Sequence, residues 1–447
     1  MTRRAGFAVA ATLILLAAGC VTLRPDRAIR VATGFVSHTL CSATFVSRLD
    51  PEQVYIEAIK PMGMMYLLDW ALRYHVDTMR QEVTASFARQ FESRAIFRQG
   101  SGCLVAHGAA PPLAPLVKPV ALDHPPPVES SDEELRAILD RVFARHDLAT
   151  KAVVIIHDGR LVAERYASGY GPLTPLHVWS VRKSAISALV GILVRQGKIQ
   201  VTQPAPVPSW RIDSRREITI DHLLRMTSGL WLTETNSGFD PVSRMLFLER
   251  DMAAFAEGTR LEARAGERWE YSTGNTIILG RIIRDIVGGG SEDVVRFAQR
   301  ELFEPLGMST ASLEVDAVGT PTSMYASARD WARFGMLFAQ DGIHGAQRIL
   351  PDGWVHYSTT PTRERGYGAG WWLGGAHWRP DWNLPEDAFY ASGLLHQKLL
   401  VIPSSRLVIA RFGLTHAADD GFGWLAENVL RALAPDPARR RAASWRR

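Results

Sequence analysis

A serine and a lysine three residues apart, Ser180 and Lys183, directly precede an apolar run over 185–194 that ends at Gly197. The run predicts a buried helix, and residues three apart on a helix share a face, so the amine of Lys183 can reach the hydroxyl of Ser180. Ser180 then lies at the positive end of the helix dipole, which stabilises negative charge near its oxygen. The pair predicts a nucleophilic serine with a desolvated lysine as its general base.

The identity of the base supports this interpretation. Only six of the 51 basic residues are lysine, and Arg182 stands next to Lys183. A guanidinium stays protonated in proteins, so a residue that accepts the serine proton at this position has to be lysine. The motif is short, and the alternative is a helix-capping serine beside a surface lysine.

A second segment with chemical potential is the turn Tyr271-Ser272-Thr273, which precedes an apolar helix predicted over 277–283. We expect Tyr271 to lie between the serine and the lysine, with its phenol acidified by the nearby ammonium, and to relay a proton to a leaving group. The alternative is a tyrosine packed at the rim of the core.

The order of these segments resembles one family, the serine hydrolases related to class C β-lactamases, DD-peptidases and 6-aminohexanoate-dimer hydrolase. The likeness runs over 130–435. The matching segments are 177–184 (HVWSVRKS), 223–230 (LLRMTSGL), 305–308 (PLGM), 327–335 (SARDWARFG), 367–372 (YGAGWW) and 391–393 (ASG).

The resemblance implies a role for each matched residue. Ser180 matches the acylated nucleophile, Lys183 the general base and Tyr271 the third catalytic group. The implied oxyanion hole consists of the backbone N–H groups of Ser180 and Leu394, the residue after Gly393 in the third motif. The mechanism needs no cofactor and no metal.

Two departures from the family pattern bear on the substrate. Thr273 occupies the position of the asparagine in Tyr-x-Asn, and Ala391 replaces the lysine of Lys-Thr-Gly, so the motif lacks the cation that helps to hold a substrate carboxylate. Ser392 keeps a hydroxyl, and with Gly393 it is the expected substrate-binding segment. We expect hydrolysis of a small ester or amide. The alternatives are a β-lactamase or DD-peptidase, and a non-catalytic peptide or penicillin binder on the same scaffold.

The rest of the sequence disfavours other classes of function. It contains no GxSxG, HExxH, GxxxxGK[ST] or CxxC motif and no HxH pair, which argues against α/β-hydrolases, zinc hydrolases and P-loop enzymes. The net charge of +5 is concentrated in Arg3, Arg4 and the basic tail, so the body is nearly neutral. A neutral body lacks the basic stripe that nucleic acid requires, and we expect no nucleic-acid partner.

The N-terminus predicts export. Residues 1–20 consist of a basic start, a short apolar stretch and small residues before Cys20. The ending Leu16-Ala17-Ala18-Gly19-Cys20 resembles a bacterial lipobox, which implies lipidation of Cys20 and a membrane-anchored lipoprotein facing the periplasm. The alternative is an ordinary cleaved signal peptide.

Four segments follow from composition: the signal peptide 1–20, an N-terminal module with a proline-rich linker over 21–125, a hydrolase domain over 126–435 and a basic tail over 436–447. We expect the module to contain β-structure, because residues 74–79 alternate in polarity. Its role is open, with docking at the membrane as one hypothesis. Cys41 and Cys103 are expected to form a disulfide in an oxidising compartment, with two free buried thiols as the alternative.

The hydrolase domain is predicted to be an α/β (α+β) sandwich. A helix is expected after 130–134, a hairpin turns at Asp158-Gly159, and a second strand pair over 398–411 precedes a closing helix over 423–433. Strands at both ends with helices between them predict one antiparallel sheet flanked by helices. The resemblance adds an all-helical subdomain.

Five further side chains near the third motif have structural explanations. We expect Trp371 and Trp372 to pack in the core, and Trp378 and Trp382 to lie in a loop at the mouth of the cleft. His396 is as consistent with a packed or solvated histidine as with a catalytic one.

Overall fold

The computed structural model describes residues 24–108, 126–363 and 365–434. Cys20 and the predicted signal peptide, the proline-rich segment 109–125 and the basic tail 436–447 lie outside the described residues. None of the helices in the described part of the chain is long and apolar enough to cross a bilayer.

The N-terminal module combines a long helix with a four-stranded antiparallel sheet in the order β1-β2-β3-β4. The alternating segment falls on β1, which confirms the predicted β-structure, but the long first helix was not predicted. That helix is buried over 31–37 without a break, so it lacks the polar face that makes an amphipathic helix recognisable. Its elements are α1 (Pro25–Phe45), α2 (Pro51–Val54), α3 (Gly63–Leu68), β1 (Leu72–Asp77), β2 (Glu82–Phe87), β3 (Gln90–Arg98) and β4 (Gly102–Val105).

The hydrolase domain alternates short strands with helices. Its helices are α4 (Glu133–Ala144), α5 (Arg182–Arg195), α6 (Ile220–Leu224), α7 (Pro241–Leu248), α8 (Met252–Glu257), α9 (Thr273–Val287), α10 (Ser291–Ala298), α11 (Ala328–Ala339), α12 (Trp354–Thr359) and α13 (Phe422–Leu433). Its strands are β5 (Thr150–His157), β6 (Arg160–Tyr166), β7 (Leu176–His177), β8 (Ser312–Val315), β9 (Pro321–Ala326), β10 (Ile343–His344), β11 (Gln347–Arg348), β12 (Trp372–Leu373), β13 (Phe389–Gly393), β14 (Gln397–Ile402) and β15 (Leu407–Gly413).

The central sheet has six antiparallel strands in the order β12-β13-β14-β15-β5-β6. The hairpin between β5 and β6 turns at Asp158-Gly159, where both residues have positive φ, as the sequence predicts. Strand β15 pairs with β5, for example Val408 with Ile156, so the two ends of the domain meet in the middle of the sheet.

Helices cover both faces of this sheet. Strand residues alternate between two cores: Val154 belongs to the larger core, which includes α5, α9 and α11, and Val153 belongs to the smaller core beneath α4 and α13. Helix α4 is capped by Asp132, whose carboxylate accepts from the N–H groups of Glu134 and Leu135. The predicted α/β sandwich is confirmed.

The module packs directly on the hydrolase domain. Glu314 of β8 is fully buried at their junction, where its Oε1 accepts from Ser42 Oγ at 2.7 Å and from the Cys103 backbone N–H at 2.8 Å. Cys41 and Cys103 form a disulfide with a Cα–Cα distance of 6.1 Å, which confirms the expected pairing and ties α1 to β4. The module is therefore held both internally and against the domain.

Candidate active site

Ser180 lies where the chain turns into α5. Residues Trp179–Val181 form a 3-10 turn, and Trp179 has a φ of 50°, a left-handed conformation unusual for a residue with a side chain. The tryptophan ring is held between His177, at a centroid distance of 3.9 Å, and Phe35 of α1, at 6.0 Å. This packing fixes the backbone that presents Ser180 at the helix N-terminus.

The predicted serine and lysine are in contact. Lys183 Nζ is 2.9 Å from Ser180 Oγ and 2.8 Å from Thr273 Oγ1. Lys183 is 3% exposed, and burial lowers the pKa of its amine from the ordinary value to about 7. The Glu234 carboxylate raises this pKa and the Arg182 guanidinium lowers it further, each to a smaller extent. A lysine in this state exchanges a proton near neutral pH, as a general base must.

Tyr271 completes the set, although the pKa of its phenol is shifted in the opposite direction to the one expected. The amine of Lys183 lies 4.4 Å from the centroid of its ring, and the phenol lines the same cavity as Ser180. The expected acidification is wrong: burial and the charge of Glu234 raise the pKa of Tyr271 above its usual value, and the Ser180 hydroxyl and the nearby Arg182 offset only part of this rise. The phenol is therefore a proton donor at neutral pH.

Glu234 is a functional candidate that the sequence analysis missed. Its carboxylate accepts from the Thr273 backbone N–H at 2.6 Å and from Thr273 Oγ1 at 3.1 Å. Since the threonine hydroxyl donates its proton to Glu234, it can only accept from Lys183. An N–H of the lysine is thereby directed to Thr273, and the lone pair of the neutral amine is free for Ser180. The only available signal was the position of Glu234 shortly after the matched segment 223–230.

Thr273 therefore has a role that its departure from the family pattern did not suggest. It is the first residue of α9, and the carboxylate of Glu234 satisfies its N–H, one of the groups left unpaired at a helix N-terminus. Its hydroxyl supplies the oxygen acceptor for Lys183 that an asparagine amide would offer. Thr273 is therefore in contact with the base.

The third motif lies at the end of β13 and approaches the nucleophile closely. A Cβ atom on Gly393 would be 2.4 Å from the Val178 carbonyl oxygen, so only glycine fits at this position. Ser392, Gly393 and Leu394 line the same cavity as Ser180. The role of the Leu394 N–H as second oxyanion donor stays a prediction.

A second buried lysine, Lys398, is hydrogen-bonded to Ser392. Lys398 is the cross-strand partner of Ser392 in the pairing of β13 with β14, and its Nζ is 2.9 Å from Ser392 Oγ. The amine is also 3.5 Å from Asp420, which His396 contacts at 2.9 Å. Burial lowers the pKa of Lys398, and Asp420 offsets part of the effect. The sequence analysis missed Lys398 because it lies outside the motif and reaches it through strand pairing.

The remaining predicted side chains separate into two groups. Trp371 is fully buried in the core, as expected, whereas Trp372 packs on Tyr271 with ring centroids 5.4 Å apart and lines the cavity. Trp382 lies in a loop, as expected, but not at the mouth of the cleft: it is 3% exposed in the smaller core against Phe422. Trp378 packs near Gly366 and does not line the cavity. His396 lines the cavity, and its ring is hydrogen-bonded to Asp420 and not to the Ser180 hydroxyl.

These groups open into one cavity of about 920 Å³. The hydrolase domain supplies its polar end, around Ser180, Tyr271 and Thr273, and the N-terminal module supplies much of the remaining wall. In the described residues, no group of three or more His, Cys, Asp or Glu side chains is placed to hold a metal ion.

The chain is similar in sequence or in fold to several known proteins. The chain is 23% identical over 332 residues to an uncharacterized protein of Alkalihalophilus pseudofirmus, covering 63% of this chain and 88% of that one. It is 25% identical over 228 residues to 6-aminohexanoate-dimer hydrolase of Paenarthrobacter ureafaciens, covering 47% of this chain and 57% of that one. A solved family VIII carboxylesterase has the same fold, with a TM-score of 0.55 at 13% identity, covering 68% of this chain and 99% of the other.

The family model described as Beta-lactamase matches residues 135–429, which is well over half of the chain and contains every hydrolase-domain residue of the candidate site. The chain therefore belongs to the Beta-lactamase family of serine hydrolases.

Proposed function

We propose that the protein hydrolyses a small ester or amide through an acyl-enzyme formed on Ser180. The observation that carries the proposal is the contact between Ser180 and Lys183, whose buried amine titrates near neutral pH. A non-catalytic binding protein would not need a base with this pKa beside a serine hydroxyl.

The chemistry proceeds in two halves. The neutral amine of Lys183 takes the proton of Ser180 as Oγ forms a bond to the substrate carbonyl carbon, and the oxyanion is held by the backbone N–H groups of Ser180 and Leu394. Tyr271 donates its phenolic proton to the leaving group and regains a proton from the Lys183 ammonium. Water then attacks the acyl-enzyme with Lys183 again as base, which releases the acid and restores the serine.

The third motif favours esters and simple amides over β-lactams. Ala391 carries no charge, and the nearby cation, Lys398, is paired with Asp420. A substrate carboxylate at this motif would contact the Ser392 hydroxyl. The positive charge of Lys398 is already partly neutralised by Asp420, so it attracts the carboxylate less than an unpaired lysine does. The similarity to 6-aminohexanoate-dimer hydrolase supports an amide substrate.

The second candidate function is β-lactamase or DD-peptidase activity. One observation favours it: Lys398 returns a cation to within hydrogen-bond distance of Ser392, near the place where the motif has lost one. Comparison of kcat/KM for a β-lactam panel with that for an ester and amide panel separates the two candidates. Hydrolysis of β-lactams far above that of any ester would reverse our ranking.

Labelling with a fluorophosphonate, read by intact mass, tests the nucleophile. A single adduct is expected on the protein, and Ser180→Ala abolishes it. Ser184→Ala is the matched control, since Ser184 lies on the same helix with its hydroxyl donated to the Gly370 carbonyl at 2.7 Å. Absence of an adduct on the folded protein would support the binding-protein alternative, and an adduct that survives Ser180→Ala would place the nucleophile elsewhere.

We also propose that the protein is exported and anchored to the membrane through lipid on Cys20, facing the periplasm. The disulfide between Cys41 and Cys103 supports an oxidising compartment. Mass analysis of the mature protein from membranes tests the anchor: cleavage before Cys20 with an added acyl mass is expected, and Cys20→Ala should release the protein to the soluble fraction. A mature N-terminus elsewhere would contradict it.

A further inference from the structure

The N-terminal module forms one side of the active-site cavity. Helix α1 contributes Ile29, Ala32 and Phe35, which recur at helical spacing on one face and line the cavity. Phe35 stacks on Trp179, the residue before the nucleophile, and meets Phe247 of α7 edge-on at a centroid distance of 5.7 Å. The apolar wall therefore begins directly beside Ser180.

A second wall comes from α3 and the residues before it. Met62, Met65 and Leu68 line the cavity, and each is half-buried. Methionine side chains are flexible and polarizable, which suits a wall that accommodates chains of variable shape. On the hydrolase side, Leu246 and Met252 continue the same apolar lining.

The cavity thus has two chemically different ends. The polar end holds the groups for acyl transfer. The residues that α1, α3 and α7 contribute are mainly aliphatic, methionine and aromatic, with His38, Thr39 and Ser243 as the polar exceptions. The cavity volume of about 920 Å³ is near the top of the range for sites that enclose drug-sized ligands, and a short acyl group alone would leave most of it empty.

The wall is a fixed part of the fold. The disulfide joins α1 to β4, and buried Glu314 binds both of these elements to β8. Gly34 of α1 lies so close to α7 that a Cβ atom there would be 3.0 Å from Phe247 Cβ. The apolar end therefore exists before a ligand binds, which lowers the entropic cost of binding.

We propose that this end of the cavity binds an extended aliphatic chain of the substrate, so that the protein acts on esters or amides of lipophilic acids or alcohols. This inference rests on the proposed function, and it gives residues 25–105 a role in substrate recognition. The alternative role for the module, docking at a membrane, does not require its side chains to line the cavity.

The test compares kcat/KM for p-nitrophenyl esters from acetate to decanoate and for acetate esters of alcohols of matched length. In at least one series, kcat/KM should rise about three- to fourfold for each added methylene until the cavity is filled. A flat or falling profile in both series would overturn the proposal.

Two variants test where the aliphatic chain of the substrate binds. Met65→Asp and Ile29→Asp place a charge in the apolar wall from α3 and α1 and should each remove most of the rise with chain length. Leu67→Asp is the matched control, because Leu67 lies on the same short helix and is 60% exposed to solvent. It should keep the wild-type profile. If kcat/KM depends on chain length equally in Met65→Asp and Leu67→Asp, the aliphatic chain of the substrate does not bind at this wall.

Fluorophosphonate labelling of each variant separates this inference from the proposed function. If Ser180 is labelled and acetate esters are hydrolysed but chain length has no effect, the recognition proposal fails and the hydrolase proposal stands. If Ser180 is not labelled in the folded wild-type protein, the proposed function itself fails. Thermal melting of each variant shows whether it is folded.

Discussion

Lys398 donates a hydrogen bond to Ser392 across the β13–β14 pair, over 2.9 Å. Since an ammonium only donates, the serine oxygen must accept, and its own proton is directed away from Lys398. Ser392 lines the cavity, so that proton is available to a substrate oxygen. Lys398 is therefore a positioning residue for the third motif.

Replacing Lys398 by methionine should lower kcat/KM for esters about five- to tenfold, because Ser392 loses the contact that orients its hydroxyl. Asp420 keeps His396 as a partner, which limits the cost in stability. In the Ser392→Ala background the same change should have little further effect on kcat/KM. Independent effects of the two substitutions, multiplied in the double variant, would show that Lys398 does not act through Ser392.

The pH profile of kcat/KM should report the Lys183 amine. Its pKa of about 7 means that the amine is mainly protonated at lower pH and unable to accept the Ser180 proton. Activity should rise with pH through about 7 and then level off. Because the Glu234 carboxylate raises this pKa, Glu234→Gln should move the rising limb to lower pH.

Glu133→Gln is the control for the pH experiment, since Glu133 is a surface residue whose side chain is 93% exposed. It should leave the midpoint in place. A rising limb that Glu234→Gln leaves unmoved would assign the titration to another group.

Thr273→Val tests whether the Thr273 hydroxyl orients the amine of Lys183 by accepting a hydrogen bond from it. The change keeps the shape of the side chain and removes the oxygen 2.8 Å from Lys183 Nζ. Loss of a hydrogen bond to a charged group costs about 1.5–3 kcal/mol, so kcat/KM should fall about 10- to 100-fold. Thr273→Ser retains a hydroxyl and should keep most of the activity. Equal losses in both variants would point to packing as the cause.

Lys183→Arg separates the charge of the base from its ability to lose a proton. Arginine keeps a cation near Ser180 but cannot accept the proton, so kcat should fall about 10²- to 10⁴-fold. Lys198→Arg, an exposed substitution just after the same helix, should retain wild-type activity. Substantial turnover by Lys183→Arg would rule out Lys183 as the base.

The disulfide should stabilise the whole chain. Replacing Cys41 and Cys103 together by serine should lower the free energy of unfolding by about 2–4 kcal/mol, because the unfolded chain is no longer cross-linked. Chemical denaturation of the full chain measures the change. Reductant should destabilise the wild-type protein similarly and leave the double variant unaffected; equal stability of the two proteins would contradict a stabilising bond.

The sequence by itself determined the features that depend on neighbours along the chain. The SxxK spacing identified a serine and a lysine that share a face where the helix begins, because residues three apart in helical backbone lie on the same side; Ser180 lies in the 3-10 turn that leads into α5. Alternating polarity and the Asp158-Gly159 turn likewise predicted strands and a hairpin that the structure contains. The sequence also offered Cys41 and Cys103 as a pair, with two free thiols as the alternative, and the structure contains the disulfide.

Only the tertiary structure decided the contacts between segments that are distant in sequence. Lys398 reaches Ser392 because of the register between β13 and β14. Glu234 reaches Thr273 because the loop between α6 and α7 packs against the first residue of α9. Burial sets the pKa of Lys183 near 7, and burial is a property of the whole packed molecule. For the same reason, the sequence did not show that the N-terminal module lines the cavity: Phe35 meets Trp179 only after both segments have packed.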